Sequence, residues 1–231
     1  MERSGPEEGP AFDAVQLGER LRAARERNGI GLRELSRRVQ LSASMISQLE
    51  RGLTMPSVTT LYAVTTALGS SLDELVGAPR TAAGAAAPAL AGAPPVTVPA
   101  GGALARPTQL ESAPLPVARH ASPRRIALED GVRWELLAAT PSPDVEFMRV
   151  TYEPGGASAP ADALQRHDGS EYGHVAEGRL GVTVGFHTYE LEAGDSISFA
   201  STMPHRLFNL LDDRPTTGFW VVVGRSARAH A

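Results

Sequence analysis

The sequence predicts an α + β chain of more than one domain: helical at the N-terminus, all-β at the C-terminus, with a linker between. Residues 14–77 repeat apolar side chains at helical spacing, and residues 113–226 contain short alternating runs broken by Gly, Pro and Asp. Residues 78–112 between them are rich in Ala, Pro and Gly and poor in charge. The ends, residues 1–13 and 227–231, are predicted to be tails, the first of them disordered.

Five short helices are expected in the N-terminal domain. The first runs from about Ala14 to Arg27 and ends at Asn28-Gly29, a sequence typical of helix C-termini. The second begins after Gly31 and the third at Ser42, a favourable N-cap residue. The fourth and fifth are expected after Pro56-Ser57 and Ser70-Ser71, and Glu74 is spaced for a capping box with the second of these. Breaks this short predict a compact helical globule.

The linker segment is too poor in large apolar side chains to order itself. About 35 flexible residues span roughly 30–35 Å. This distance is comparable with the roughly 34 Å between successive half-sites on one face of DNA.

The C-terminal domain is expected to be a barrel or sandwich of short strands. Its six predicted strands cover residues 131–138, 145–153, 179–184, 187–191, 195–199 and 217–223.

Composition excludes several classes of protein. There is no cysteine, hence no disulfide or cysteine-based zinc site, and no apolar run is long enough to cross a membrane. A cytoplasmic bacterial protein is therefore expected. The formal net charge of −4 conceals an asymmetry, because eight arginines face three glutamates between Arg20 and Arg51, whereas eight arginines face fifteen acidic residues from Ile126 onward. A local basic patch has phosphate backbones as one obvious partner, and a solvated helix surface is the alternative interpretation.

The second and third predicted helices are separated by only about three residues, so the third must cross the second steeply and project from the globule. A projecting helix can enter the major groove of DNA while its predecessor lies across the backbone. Gln pairs with adenine and Ser with either base edges or phosphate. The predicted DNA-binding residues are Arg33, Arg37 and Arg38 for phosphates, Ser42, Ala43, Ser44, Ser47 and Gln48 at the start of the third helix, and Arg51.

Two segments carry a more specific signal. LRELSRRVQLSASMISQLERG and MPSVTTLYAVTTALGSSLDEL resemble the Cro/C1-type (XRE) helix-turn-helix family over about residues 17–76. This resemblance implies a transcriptional regulator that reads an operator through the third helix. The sequence departs from the family at Gly31, where a Ser or Thr cap is usual, and at Gln40, where the turn usually has Gly.

The segments QRHDGSEYGHVAEG and GDSISFASTMPHRLFN resemble the two motifs of cupins, which are small jelly-roll barrels. His167, Glu171 and His205 match positions that hold a metal in cupins, and Gln165 replaces a further histidine. The resemblance implies that these four side chains converge inside the barrel. They are the candidate site for an effector or for a divalent metal: Fe, Mn, Ni or Zn. A metal-free pocket and packing without a ligand are the alternatives.

The leading hypothesis is a homodimeric DNA-binding regulator, without enzymatic activity, whose cupin barrel senses a small molecule and dimerises. The alternative is a metal-dependent cupin oxygenase or isomerase with a DNA-binding appendage. A third is a scaffold dimer whose helices bind protein. His120, His187 and His230 are expected to lie on the surface. The sequence alone does not indicate whether His174 faces the inside or the outside of the barrel.

Overall fold

The computed structural model describes residues 13–76, 117–118, 124–140, 142 and 144–224. The predicted linker and the terminal tails lie outside these residues, apart from Asp13, as do His120 and His230. The five predicted helices are present: α1 (Ala14–Arg27), α2 (Leu32–Val39), α3 (Ala43–Glu50), α4 (Val58–Leu68) and α5 (Leu72–Val76).

Side-chain caps set the helix starts. The hydroxyl of Ser42 accepts from the Met45 N–H at 3.1 Å, and that of Ser57 accepts from Thr60. Ser71 and Glu74 form the predicted reciprocal capping box. Gly31 provides no side-chain cap for α2, and Gln40 takes a left-handed conformation (φ 56°) to make the turn into α3. Both departures from the family pattern are thus accommodated in the backbone.

Helix α3 is held close against α1. A Cβ added to Gly18 of α1 would lie 2.5 Å from the Leu49 carbonyl oxygen, so only glycine permits this approach. Leu17, Leu21, Ile46 and Leu49 form the core between the two helices. The outward face of α3 is therefore presented on a rigid support.

The described residues from Arg124 onward form nine antiparallel strands in two sheets. They are β1 (Arg124–Ala127), β2 (Val132–Leu136), β3 (Val145–Tyr152), β4 (Ser170–Glu177), β5 (Arg179–Val184), β6 (His187–Glu192), β7 (Ser196–Ala200), β8 (His205–Asn209) and β9 (Thr216–Val223). The larger sheet has the order β1-β2-β3-β9-β4-β7 and the smaller the order β6-β5-β8. The predicted fold class, a helical region followed by an all-β barrel, is confirmed.

All six predicted strands are present, with ends shifted by at most a few residues. Three further strands, β1, β4 and β8, were not predicted. Their inward positions include Glu171 on β4 and His205 and Asn209 on β8, which are polar residues that hide the alternation of a half-buried strand.

The N-terminal end of α4 contacts the barrel. Asp130, in the turn between β1 and β2, accepts a hydrogen bond from the Val58 N–H at 3.3 Å, and Thr59 donates its hydroxyl to the Ser158 carbonyl at 3.1 Å. One turn further along α4, the buried Tyr62 packs against Trp134 of β2 with 5.1 Å between ring centroids. The helical region is therefore docked on one end of the barrel.

Within the described part of the chain, no helix has both the length and the apolar character needed to cross a membrane.

Candidate functional site

The outer surface of α3 carries small and neutral side chains. Ser44 is exposed, whereas Ala43, Ser47 and Gln48 are partly exposed. Met45, which the sequence analysis did not select, is also exposed at 40%. Ser42 serves as the N-cap, and Arg51 caps the other end of α3 by donating its Nε to the Ser47 carbonyl at 3.1 Å.

The arginines of α2 differ from one another in their surroundings. Arg37 and Arg38 both form ion pairs with Glu34, and the Arg38 pair is 2.9 Å long. The pKa of Glu34 is lowered, first by the hydrogen bond from Arg38 and then by the positive charges of both arginines. Arg33 is exposed and forms no ion pair with any residue the structure describes. Contact of Arg37 or Arg38 with phosphate therefore requires exchange of partners, whereas Arg33 is available directly.

A buried ion pair that the sequence analysis missed supports α3 from behind. The guanidinium of Arg25 on α1 donates two hydrogen bonds to the Glu50 carboxylate, at 2.6 and 2.9 Å, and a third to the Ile30 carbonyl. Both side chains are almost inaccessible to water. Charged residues of an amphipathic helix are usually solvated, so the sequence offered no signal for this contact.

The second candidate site lies inside the barrel and contains three of the four predicted residues. Nε2 of His167 and Nε2 of His205 each lie 3.0 Å from Oε1 of Glu171. All three side chains are at least 95% buried. Glu171 comes from β4 and His205 from β8, while His167 comes from the extended segment that precedes β4.

The tautomers of the two histidines determine which groups face Oε1 of Glu171. Nδ1 of His205 lies 2.8 Å from the Met203 carbonyl oxygen, and Nδ1 of His167 lies 3.0 Å from that of Asp168. Because carbonyl oxygens only accept, each Nδ1 carries the proton, and Nε2 of a neutral ring then turns a lone pair toward the carboxylate. Among the described residues, neither the two Nε2 atoms nor Oε1 has a hydrogen-bond partner. A positive charge between them, either a proton or a metal cation, removes the repulsion.

The pKa values of Glu171 and His205 indicate the same preference for a positive charge between them. Burial favours neutral forms, raising the pKa of Glu171 and lowering that of His205. The mutual contacts outweigh burial, so the pKa of Glu171 lies below its ordinary value and that of His205 above it.

The other oxygen of Glu171 is fixed by β9. Trp220 donates its indole N–H to Oε2 at 2.7 Å. The ring lies so close to Gly173 that a Cβ there would meet it at 2.1 Å. Oε1 is thereby left to face the two histidines, which is how a carboxylate that holds a metal is normally oriented.

The residues fit a divalent metal. Ligand atoms of one ion at about 2.0–2.2 Å lie about 3 Å from each other, and the three donor atoms here lie within 4.8 Å of one another. Two histidines and one carboxylate are the donor set of non-haem Fe(II) sites and also suit Zn, Mn and Ni. Bound there, such an ion would supply a Lewis acid with open positions.

Gln165, the fourth predicted residue, is buried beside His205. The two backbones exchange hydrogen bonds of 2.9 and 2.8 Å, and no residue that the structure describes forms a hydrogen bond with Oε1 of Gln165. By contrast, His174 and His187 are exposed, so they lie outside this cluster. Asn209, part of the same sequence motif, is structural, since its amide donates to the Tyr152 and Arg214 carbonyls.

The barrel site is covered by the helical region. The ring of Tyr62 on α4 packs on His167 at 4.9 Å between centroids. Beside this contact lies a cavity of about 690 Å³, lined from the helical side by α2 and α4 and from the barrel side by residues 164–168 and Thr202. No motif or periodicity in the sequence indicates that the two regions share a cavity.

Comparisons with known families agree with the architecture. A model of the helix-turn-helix family matches residues 21–75, and a model of the cupin domain matches residues 148–222. The chain therefore carries an XRE-type helix-turn-helix domain and a cupin domain.

The individual proteins similar to this chain match it over a short segment or at low identity. An HTH-type transcriptional regulator of Deinococcus deserti, DdrOP3, is 36% identical over 62 residues, which are 27% of this chain and 48% of that protein. The chain thus matches about half the length of this curated relative. The crystal structure of an HTH_3 family transcriptional regulator from Vibrio cholerae is similar with a TM-score of 0.59 and 17% identity, covering 91% of this chain and 96% of the other. At this identity the match shows a shared fold.

Proposed function

We propose that this chain, in which a helix-turn-helix domain precedes a cupin domain, is a sequence-specific DNA-binding transcriptional regulator. The observation that carries the proposal is helix α3, which is braced by Gly18 and the Arg25–Glu50 pair and presents Ser44 and Gln48 outward. Its association with DNA would place it at the bacterial nucleoid.

Replacing both Ser44 and Gln48 with alanine should weaken operator binding and leave non-specific binding almost unchanged. Each lost base contact is worth about 1–3 kcal/mol, so the double variant should lose about 30-fold or more in affinity. The operator is first obtained by selecting bound sequences from random DNA, and affinities for operator and unrelated DNA are then compared at one salt concentration.

Gln16→Ala provides the control, because Gln16 is exposed on α1 and belongs to no predicted contact. Equal losses on operator and unrelated DNA in the double variant would contradict base reading by α3.

The barrel is proposed to be the sensor of the regulator. His167, Glu171, His205 and Gln165 form a buried polar cluster beside a cavity that also touches the helix-turn-helix domain. A ligand changes DNA affinity only if it binds the DNA-competent and incompetent forms unequally. The contact between Tyr62 and His167 offers a direct route for such a difference.

A homodimer is proposed to form through the outer face of the larger sheet. This face exposes Phe147, Tyr172, Phe219 and Val223 around the half-buried Val221. Phe147 and Tyr172 both lie opposite Val221 in the strand register, so the side chains form one continuous apolar patch. Patches of this kind mark association surfaces in soluble proteins.

Tyr172→Arg should therefore produce a monomer, because an arginine pair at the centre of a symmetric apolar interface is desolvated without a partner. Molar mass is measured by light scattering over a range of protein concentrations. The control is Phe186→Arg, since Phe186 is fully exposed in the β5–β6 turn, away from the patch. A Tyr172→Arg protein that remains dimeric would exclude this face.

The alternative function, a metal-dependent oxygenase or isomerase, is favoured by the same histidine–glutamate cluster. Stoichiometric iron in the purified protein, lost in His167→Ala, would support it. A metal-free protein that still responds to an effector would exclude it.

A further inference from the structure

The cavity between the two domains has a small excess of positive charge in its lining. The side chains that line it include two arginines, Arg38 and Arg166, against one acid, Asp168. The arginines come from opposite walls: Arg38 from α2 of the helix-turn-helix domain, and Arg166 from the barrel segment between Gln165 and His167.

The rest of the lining suits a small organic molecule. Thr66 and Thr202 supply hydroxyl groups, and Leu164 and Tyr62 supply apolar surface. A volume of about 690 Å³ lies within the range of small-molecule sites, which combine apolar walls with a few placed polar groups. Arginine is the side chain best suited to bind carboxylates through paired hydrogen bonds.

We propose that this cavity binds a small organic anion carrying carboxylate groups, held between Arg38 and Arg166. The inference rests on the proposed sensor function of the barrel and gives it a ligand class. Arg38 already binds a carboxylate, that of Glu34, in a half-exposed pair. Exposed pairs of this type are weak and exchange partners easily, so an incoming anion can replace Glu34.

The direction of regulation follows from the position of Arg38. It lies on the helix that crosses the DNA backbone in helix-turn-helix complexes, and the same guanidinium cannot serve a phosphate and the bound anion together. The anion therefore lowers DNA affinity. By reciprocity, DNA lowers the affinity for the anion by the same factor.

The ligand class is tested by titrating the full-length protein with malonate, succinate and glutarate, followed by calorimetry, with the matched neutral diamides in parallel. At least one dianion is expected to bind saturably and its diamide at least tenfold more weakly. Arg38→Gln and Arg166→Gln should each weaken binding of the dianion at least tenfold.

One variant serves as the control for the loss of a charge. Arg179→Gln removes an arginine of β5 that pairs with Glu190, outside the cavity lining. It should bind the dianion like the wild type. Circular dichroism of all three variants verifies that they are folded.

Three outcomes overturn the inference: no saturable binding of any dianion, equal binding of the diamides, or binding that is insensitive to both cavity arginines. If the dianion binds as expected but leaves DNA affinity unchanged, the regulatory direction is wrong. Failure of the protein to bind DNA would overturn the proposed function while the titrations still decide the ligand class.

Discussion

Replacing Arg25 with methionine should destabilise the helix-turn-helix domain by about 3–5 kcal/mol, the cost of removing one partner of a buried, hydrogen-bonded ion pair. The carboxylate of Glu50 would remain in a site that water scarcely reaches, and the Ile30 carbonyl would lose its donor as well. Domains are stable by only about 5–15 kcal/mol. The loss is a large fraction of this stability, so the variant should unfold at a much lower temperature or denaturant concentration, and operator binding should be lost under those conditions.

Urea unfolding followed by two optical signals distinguishes the stability of the helical domain from that of the barrel. Both tryptophans of the chain, Trp134 and Trp220, lie in the barrel, so the main fluorescence transition reports barrel unfolding, and a smaller, earlier change reports loss of the contact between Trp134 and Tyr62 of α4. Far-ultraviolet circular dichroism reports mainly the five helices. In urea, the helical transition of Arg25→Met should move to much lower concentration and the fluorescence transition only slightly.

The control is Arg22→Met on the same helix, because the pair of Arg22 with Glu26 is exposed and should matter little. A double replacement of Arg25 and Glu50 by methionine should recover much of the loss, since no charge is then left buried. A double variant as unstable as the single one, or equal effects of Arg22→Met and Arg25→Met, would contradict this account.

Local sequence patterns predict most of the fold. The helix caps at Ser42 and Ser71 and the alternation of β2, β3 and β9 follow from neighbouring residues alone, and the structure confirms them. The strands missed by the sequence analysis are informative in physical terms. On β4 and β8, inward positions hold Glu171 and His205 instead of apolar residues, so the requirements of the site obscured the period from which strands are recognised.

The contacts that join the two domains had no such signal. Tyr62 occupies an ordinary buried position of an amphipathic helix, and Arg38 an ordinary exposed one. Their roles beside His167 and in the shared cavity depend on how α4 docks on the barrel through Asp130 and Ser158. Such docking depends on residues far apart in sequence. It appears in no periodicity, motif or charge run of a single segment.

Replacing His205 with alanine should reduce the affinity of the barrel for a divalent metal by more than 100-fold. The substitution removes one of the three donor atoms that converge at the site. Changes to groups that only orient a ligand typically cost 10–100-fold, so loss of a ligand itself should cost more. Fe(II), Mn(II), Ni(II) and Zn(II) are titrated separately into metal-free protein by calorimetry, and metal content is measured after purification.

Trp220→Phe tests whether the carboxylate is positioned as the structure indicates. It keeps a ring beside Gly173 but removes the N–H that binds Oε2 of Glu171. It should lower metal affinity by about 10–100-fold, an effect between those of His205→Ala and the control His174→Ala, whose ring is exposed on the outside of the barrel. If wild-type protein binds none of the four metals, the positive charge between Glu171 and the histidines must be a proton. The cluster would then be a protonated histidine–glutamate pair in a metal-free pocket, which leaves the sensor proposal standing and removes the oxygenase alternative.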